Sequence, residues 1–272
     1  MRNQHDLLSR RLLIQLAAGL AAAPVFGQTG RRYEEIRRIP APEANQAVAA
    51  DEHHLYAIDN HAIGKYDKQS GERVAHWECE NAKPLIHLDS GVVYGGVLWC
   101  THSNFPGVPM TSSIETWDVS NLQHGSSYSF GISAGSATWM DLYAGSRYVN
   151  FAHYRTNADE ADRDPSWTTL IQYDSEWRQR QSWVYPAEVV SKLGVMSISG
   201  GVFGRDGRLY TTGHDNPEIY VFSFPTGGST LVLEETIPMP MHGQGIALDP
   251  VDLTLLYGID RPRKEIVVTR IA

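Results

Sequence analysis

The sequence predicts an all-β fold, a β-propeller of five four-stranded blades closed by its own N-terminal strand. Three observations predict it. A strand–turn–strand unit recurs five times between residues 28 and 272. With 13 Tyr, 7 Trp and 24 Gly in 272 residues, the composition suits many short strands joined by turns. The last unit stops one strand short, and a matching strand stands at the head of the array.

Residues 1–27 read as an export signal. Arg2, Arg10 and Arg11 precede an apolar run over 12–25, and Ala21 to Ala23 with Gly27 offer small residues for cleavage. The stretch SRRLLI (9–14) resembles a twin-arginine motif, and the run is too short and too weakly flanked for a stable membrane span. A periplasmic or secreted location is therefore expected, with no membrane span once the signal is removed. Residues 28–272 are left as one propeller domain.

The repeat is clearest between the two ends of that domain. Residues 39–51 (IPAPEANQAVAAD) lie without a gap on 237–249 (IPMPMHGQGIALD), and 55–59 (LYAID) lie on 256–260 (LYGID). The unit recurs at 201–210 (GVFGRDGRLY), and weaker copies stand at 92–99 (VVYGGVLW) and 141–148 (DLYAGSRY). Each is a small-residue or β-branched strand, a tight Asp/Gly turn and an apolar strand, which is a hairpin pattern. Third strands are expected at 63–67, 113–118, 168–174, 218–222 and 265–269, and fourth strands at positions such as 73–77 and 233–237. Five units over 245 residues give 49 residues each, close to the roughly 40–50 of a propeller blade. The fifth unit ends at Ala272 after its third strand, so residues 33–39 are expected to pair with 265–269 and cover the edge. A six-bladed ring is the alternative, with a degenerate blade in 121–136 or 155–167. Those Ser/Gly-rich and Asp-rich stretches read as loops.

The pattern resembles secreted propellers of the lactonase and strictosidine-synthase type and five-bladed glutaminyl cyclases. The resemblance is to the repeat and spans the mature chain. It does not reach their metal-ligand or catalytic motifs, so it implies the fold and transfers no function.

The repeat also says which loops share a face. Loops leading into inner strands and loops leaving second strands surround one mouth of the axial channel. Five of the 11 histidines fall in them: His87, His102, His153, His214 and His242. Imidazole is both a metal ligand and a base that titrates near neutrality. Three arrangements stay open. Some subset of those five histidines, with Asp141 or Asp215, holds a divalent metal ion, one ligand per blade. Alternatively His87, His102, His214 and His242 work with Asp141 or Asp215 as metal-free acid–base groups. In the third, a ligand binds without chemistry against Trp139, Tyr154 and Arg155. Gln46, Asn104, Trp139, His153, Arg155 and Gln244 are candidate ligand contacts, with Gln46 and Gln244 in equivalent places of adjoining blades.

The net charge of −8, without a basic run after the first forty residues, argues against nucleic acid as a partner. Cys79 and Cys100, the only cysteines, stand on neighbouring units, either paired or as buried thiols. A monomer is expected. The functional expectation is an enzyme acting on a small polar, sugar- or lactone-like molecule by lyase, cyclase-isomerase or hydrolase chemistry. The alternative is a propeller that binds a ligand or partner protein without catalysis.

Overall fold

The structure is a computed structural model that describes residues 30–132, 135–155 and 163–272. The export signal expected over residues 1–27 lies outside them. No helix among the described residues is long and apolar enough to cross a membrane.

Residues Arg31–Ala272 form five four-stranded antiparallel sheets around one axis, the expected propeller. From axis to rim, the first blade is β2(Ala47–Ala50), β3(His54–Ile58), β4(Ala62–Asp67) and β5(Arg73–Glu78). The second is β6(Leu88–Tyr94), β7(Val97–Ser103), β8(Thr111–Asp118) and β9(His124–Ile132). The third is β10(Ser136–Tyr143), β11(Ser146–Ala152), β12(Thr169–Tyr173) and β13(Gln179–Val184). The fourth is β14(Gly200–Phe203), β15(Leu209–Thr212), β16(Glu218–Ser223) and β17(Val232–Pro238). The fifth takes β18(Ala247–Leu248), β19(Leu255–Asp260) and β20(Glu265–Ile271) from the C-terminus, and β1(Tyr33–Pro40) from the N-terminus.

The closing strand pairs as its sequence suggests, from Tyr33 opposite Ile271 to Pro40 opposite Glu265. Ile39 is fully buried in the seam, and Arg38 holds both Asp260 (2.6 Å) and Glu265 (2.9 Å) through Nη1. One reading of the sequence needs correction. Much of 121–136, read as a loop, is the nine-residue β9. It is exposed along nearly its whole length, and its first four residues (HGSS) are polar or small, so only the short alternation of Tyr128, Phe130 and Ile132 marks it.

The sequence unit has a physical cause. In three blades the Asp of the first turn accepts a hydrogen bond from a Tyr hydroxyl on the second strand. Tyr56 donates to Asp51 at 2.5 Å, Tyr210 to Asp206 at 2.9 Å, and Tyr257 to Asp249. The second and third blades put Gly95-Gly96 and Ala144-Gly145 in that turn instead, which is why their copies of the unit look weaker.

Small residues pack the axis. A Cβ on Gly245 would lie 2.4 Å from the Cβ of Ala47, and one on Gly200 would lie 2.4 Å from the carbonyl of Gln244. Larger side chains face sideways and form one apolar cluster per blade–blade interface. Trp139, Trp183 and Phe222 join the third and fourth blades, and Tyr56, Leu98 and Trp117 join the first and second. Cys79 and Cys100 are both buried free thiols.

Candidate functional site

The candidate site is a cavity of about 150 Å³ at the channel mouth, on the face where the incoming inner-strand loops and the outgoing second-strand loops meet. Every blade contributes to its lining. Gln46 comes from the first, His87, Asp89 and Phe105 from the second, Tyr154 from the third, Ser199 and His214 from the fourth, and Gln244 and Arg261 from the fifth.

His87 sits in the turn before β6, where its ring nitrogens are treated differently. Asn60 Oδ1 accepts from Gln46 Nε2 at 2.7 Å and from His87 Nδ1 at 2.8 Å. Because Nδ1 is the donor, the neutral ring keeps a bare lone pair on Nε2. That atom lies 3.4 Å from Asp89 Oδ2, and the pair is not aligned for a hydrogen bond, so Oδ2 makes none among the described residues. Phe105 stacks obliquely on the imidazole at 5.2 Å, and Tyr154 meets Phe105 edge-on at 4.9 Å.

Burial governs the charges here. It pushes His87 down to about 4, helped by the nearby His102 and Arg261. It pushes Asp89 well above the usual carboxylate range, a rise that the positive charge of Arg261 only partly offsets. Burial thus favours the uncharged form of both groups, a neutral imidazole beside a carboxyl shifted toward its protonated form.

A second cavity of about 270 Å³ adjoins the first, and His214, Gln244 and Arg261 line both. His214 Nδ1 donates to Asp215 Oδ1 at 2.6 Å, and Arg261 Nη1 approaches His214 Nε2 at 3.4 Å. His242 lines this outer cavity and donates from Nδ1 to the carbonyl of Asp215 at 2.8 Å. Gln244 reaches both cavities from a left-handed backbone (φ 67°). The glycine before it is required, since a Cβ at Gly243 would lie 2.2 Å from the carbonyl of Gly213.

Of the residues proposed from sequence, the structure brings His87, Gln46, Gln244 and His214 together, with Asp215 and His242 next door. His102 stands behind His87, with Nδ1 to Ser113 Oγ at 3.0 Å and Nε2 accepting from the amide of Ile86 at 3.3 Å. Asn104 closes its own loop, accepting from the amide of Thr111 and donating to the carbonyl of Pro109. His153 is buried beside Gly135, and the half-exposed Arg155 pairs with Asp164 at 3.3 Å.

Trp139 and Asp141 are elsewhere. Inner strand β10 begins at Ser136, so these residues lie within the strand and not in the loop before it. Trp139 is fully buried against Gly201 in the interface of the third and fourth blades. Asp141, five residues into the strand and so about 17 Å from its start, lines a cavity at the opposite end of the channel with Phe203 and Asp249. Its carboxylate accepts from the amides of Phe203 and Leu142, both at 2.7 Å. The metal arrangement is not assembled either. Among the described residues no three His, Cys, Asp or Glu side chains converge as metal ligands. Asp89 and Arg261, absent from the sequence-based candidates, are central. Both stand where the repeat gathers its segments, Asp89 at the start of an inner strand and Arg261 just after a second strand, but neither lies in a local motif.

Fold and site together define a five-bladed β-propeller with a titratable pocket at one mouth of its channel. No protein-family model and no curated protein matches the chain. Among solved structures it is similar to the PQQ-bound form of aldose sugar dehydrogenase from Streptomyces coelicolor. The TM-score is 0.57 at 8% identity, over 89% of this chain and 99% of that one. At that identity the likeness is one of fold.

Proposed function

We propose that the protein is an enzyme that moves protons on a small polar, sugar- or lactone-like molecule, with His87 as base and Asp89 as acid. The observation that carries this is the bare Nε2 of His87 beside the uncommitted Oδ2 of Asp89, 3.4 Å apart in a cavity of about 150 Å³. His87 Nε2 takes a proton from a substrate C–H or O–H, and Asp89 gives its own to the atom that gains electrons. The close pair then exchanges the proton, which restores both groups. This sequence suits lyase, cyclase-isomerase and hydrolase chemistry alike. Gln46 and Asn60 are positioning residues that set the ring tautomer. The expected export signal supports action in the periplasm or outside the cell.

The cofactor of the structural neighbour fits this cavity poorly. PQQ is a flat quinone with three carboxylates, whereas Arg261 is the sole cation that lines the cavity among the described residues. No step here is routed through it. A purely ligand-binding role is less favoured, because a binding wall has no need of an acid and a base with opposed shifts.

The test is turnover of sugar lactones, their open acids and unsaturated or epimerisable sugars, followed by NMR of the products. His87→Gln and Asp89→Asn are each expected to lower the rate by about 10²–10⁴-fold with unchanged melting. Full activity in both variants would overturn the assignment.

A further inference from the structure

We infer that the substrate of this site carries a carboxylate, and that Arg261 receives it at the junction of the two cavities. The inference rests on the acid–base reading only for the word substrate, since the binding can be tested separately.

Arg261 has no anionic partner among the described residues. Its Nε donates to Asn45 Oδ1 at 3.1 Å, its Nη1 approaches His214 Nε2 at 3.4 Å, and its Nη2 has no partner among the described residues. Asn45 Oδ1 also accepts from Lys264 Nζ at 2.9 Å, so two cations converge on one neutral amide oxygen. The nearby carboxylates are engaged elsewhere. Asp59 stands 3.8 Å from Lys264, Asp260 is held by Arg38 at 2.6 Å, and the exposed Asp215 binds His214. Asp89 lines the same cavity but forms no ion pair with Arg261 among the described residues, and burial pushes its carboxyl well above the usual range. The cavity wall therefore carries a guanidinium whose charge the protein leaves unbalanced, although ordinary practice in a half-buried place is to pair it.

A carboxylate matches what is left. Its single charge balances that of Arg261, and its oxygens can accept from Nη2 in charge-assisted hydrogen bonds. A phosphate dianion would bring a second charge into a cavity whose His87 is neutral. Because Arg261 lines both cavities, an acid group seated on it lets the rest of a small molecule extend inward to His87 and Asp89.

The experiment titrates the intact mature protein with D-glucuronate, acetate, inorganic phosphate and D-glucose. The readout is the ring NMR signals of His214, which sits against Arg261. Both carboxylates should shift them saturably, glucose should not, and Arg261→Gln should weaken the carboxylates about tenfold or more. Arg261→Lys, which keeps the charge and loses the fork, should fall between and serves if the glutamine variant misfolds. His87→Gln should bind carboxylates like the parent, so loss of turnover there with retained binding separates the two claims. The inference is overturned by no saturable response to either carboxylate, by an equal response from glucose, by unchanged affinity in both arginine variants, or by phosphate binding tighter than the carboxylates.

Discussion

At position 87 an imidazole is wedged under Phe105 and tied by one nitrogen to Asn60, at 2.8 Å. Holding it neutral has a consequence for stability. Its folded-state pKa lies near 4, below the ordinary 6.5, so the unfolded chain binds more protons between those values. The contribution of neutral His87 is full above about pH 6.5 and is lost as pH falls toward 4. Asp141 runs the other way. Burial raises it to about 6, so the folded state holds the extra proton, and its contribution is lost as pH rises from about 4 to 6. The two slopes oppose each other in the parent. Replacing His87 by Gln removes one of them, so the stability of the variant relative to the parent should rise by about 3 kcal/mol as pH falls from neutrality to 4. Urea unfolding of both proteins across that range checks it. A constant difference would mean that His87 titrates normally. At this scale the sequence was partly legible. The repeat placed His87 and His214 in converging loops, but the burial that makes Asp89 an acid is a property of packing that no local pattern records.

Elements explain both the successes and the misplacements. The paired motifs at 39–51 and 237–249 mark the same passage from an outer strand to the next inner strand, and the closing role of residues 33–39 followed from it. Strand β9 is hard to read because its first four residues are polar or small and only Tyr128, Phe130 and Ile132 alternate, in a rim strand that is mostly exposed. Asp141 was misplaced because β10 is eight residues long where β2 has four and β18 two, and repeat alignment does not report strand length. Two predictions belong here. Deleting residues 31–40 removes β1 and exposes the whole edge of β20, so the truncated protein should form higher-order species by light scattering while the parent does not. The same outcome is expected in milder form for Ile39→Ala, which empties a fully buried site in that seam at a cost of about 2–5 kcal/mol. Gly201→Ala forces a methyl to within 2.4 Å of the Trp139 ring, in the interface of the third and fourth blades. It should lower stability by about 1–3 kcal/mol without altering the His87 titration, since the clash is away from the cavity. Parental stability in that variant would show that the interface relaxes freely.

For the whole molecule, ring closure gathers sequence-distant segments from all five blades into one pocket. Gln46 and Gln244 stand 198 positions apart in the chain, yet line the same cavity, and the amide of Gly245 donates to the carbonyl of Gln46 at 2.9 Å. The five apolar clusters, one between each pair of blades, hold that arrangement with sideways packing and leave the axis to small residues. This division of labour lets polar and titratable groups gather at the mouth without interrupting the core. It also makes the site depend on closure, because Arg261 and Gln244 belong to the blade that β1 completes. The central claim is that the closed ring keeps His87 as a neutral base with a bare Nε2 beside an acidic proton on Asp89. The measurement that tests it most directly is the imidazole ¹⁵N NMR spectrum of His87 in the intact protein across pH, assigned with His87→Gln. The account predicts a neutral ring protonated on Nδ1 at neutral pH, with a midpoint near 4. A ring protonated on Nε2, or one that gains its second proton at or above the ordinary pKa of about 6.5, would contradict it.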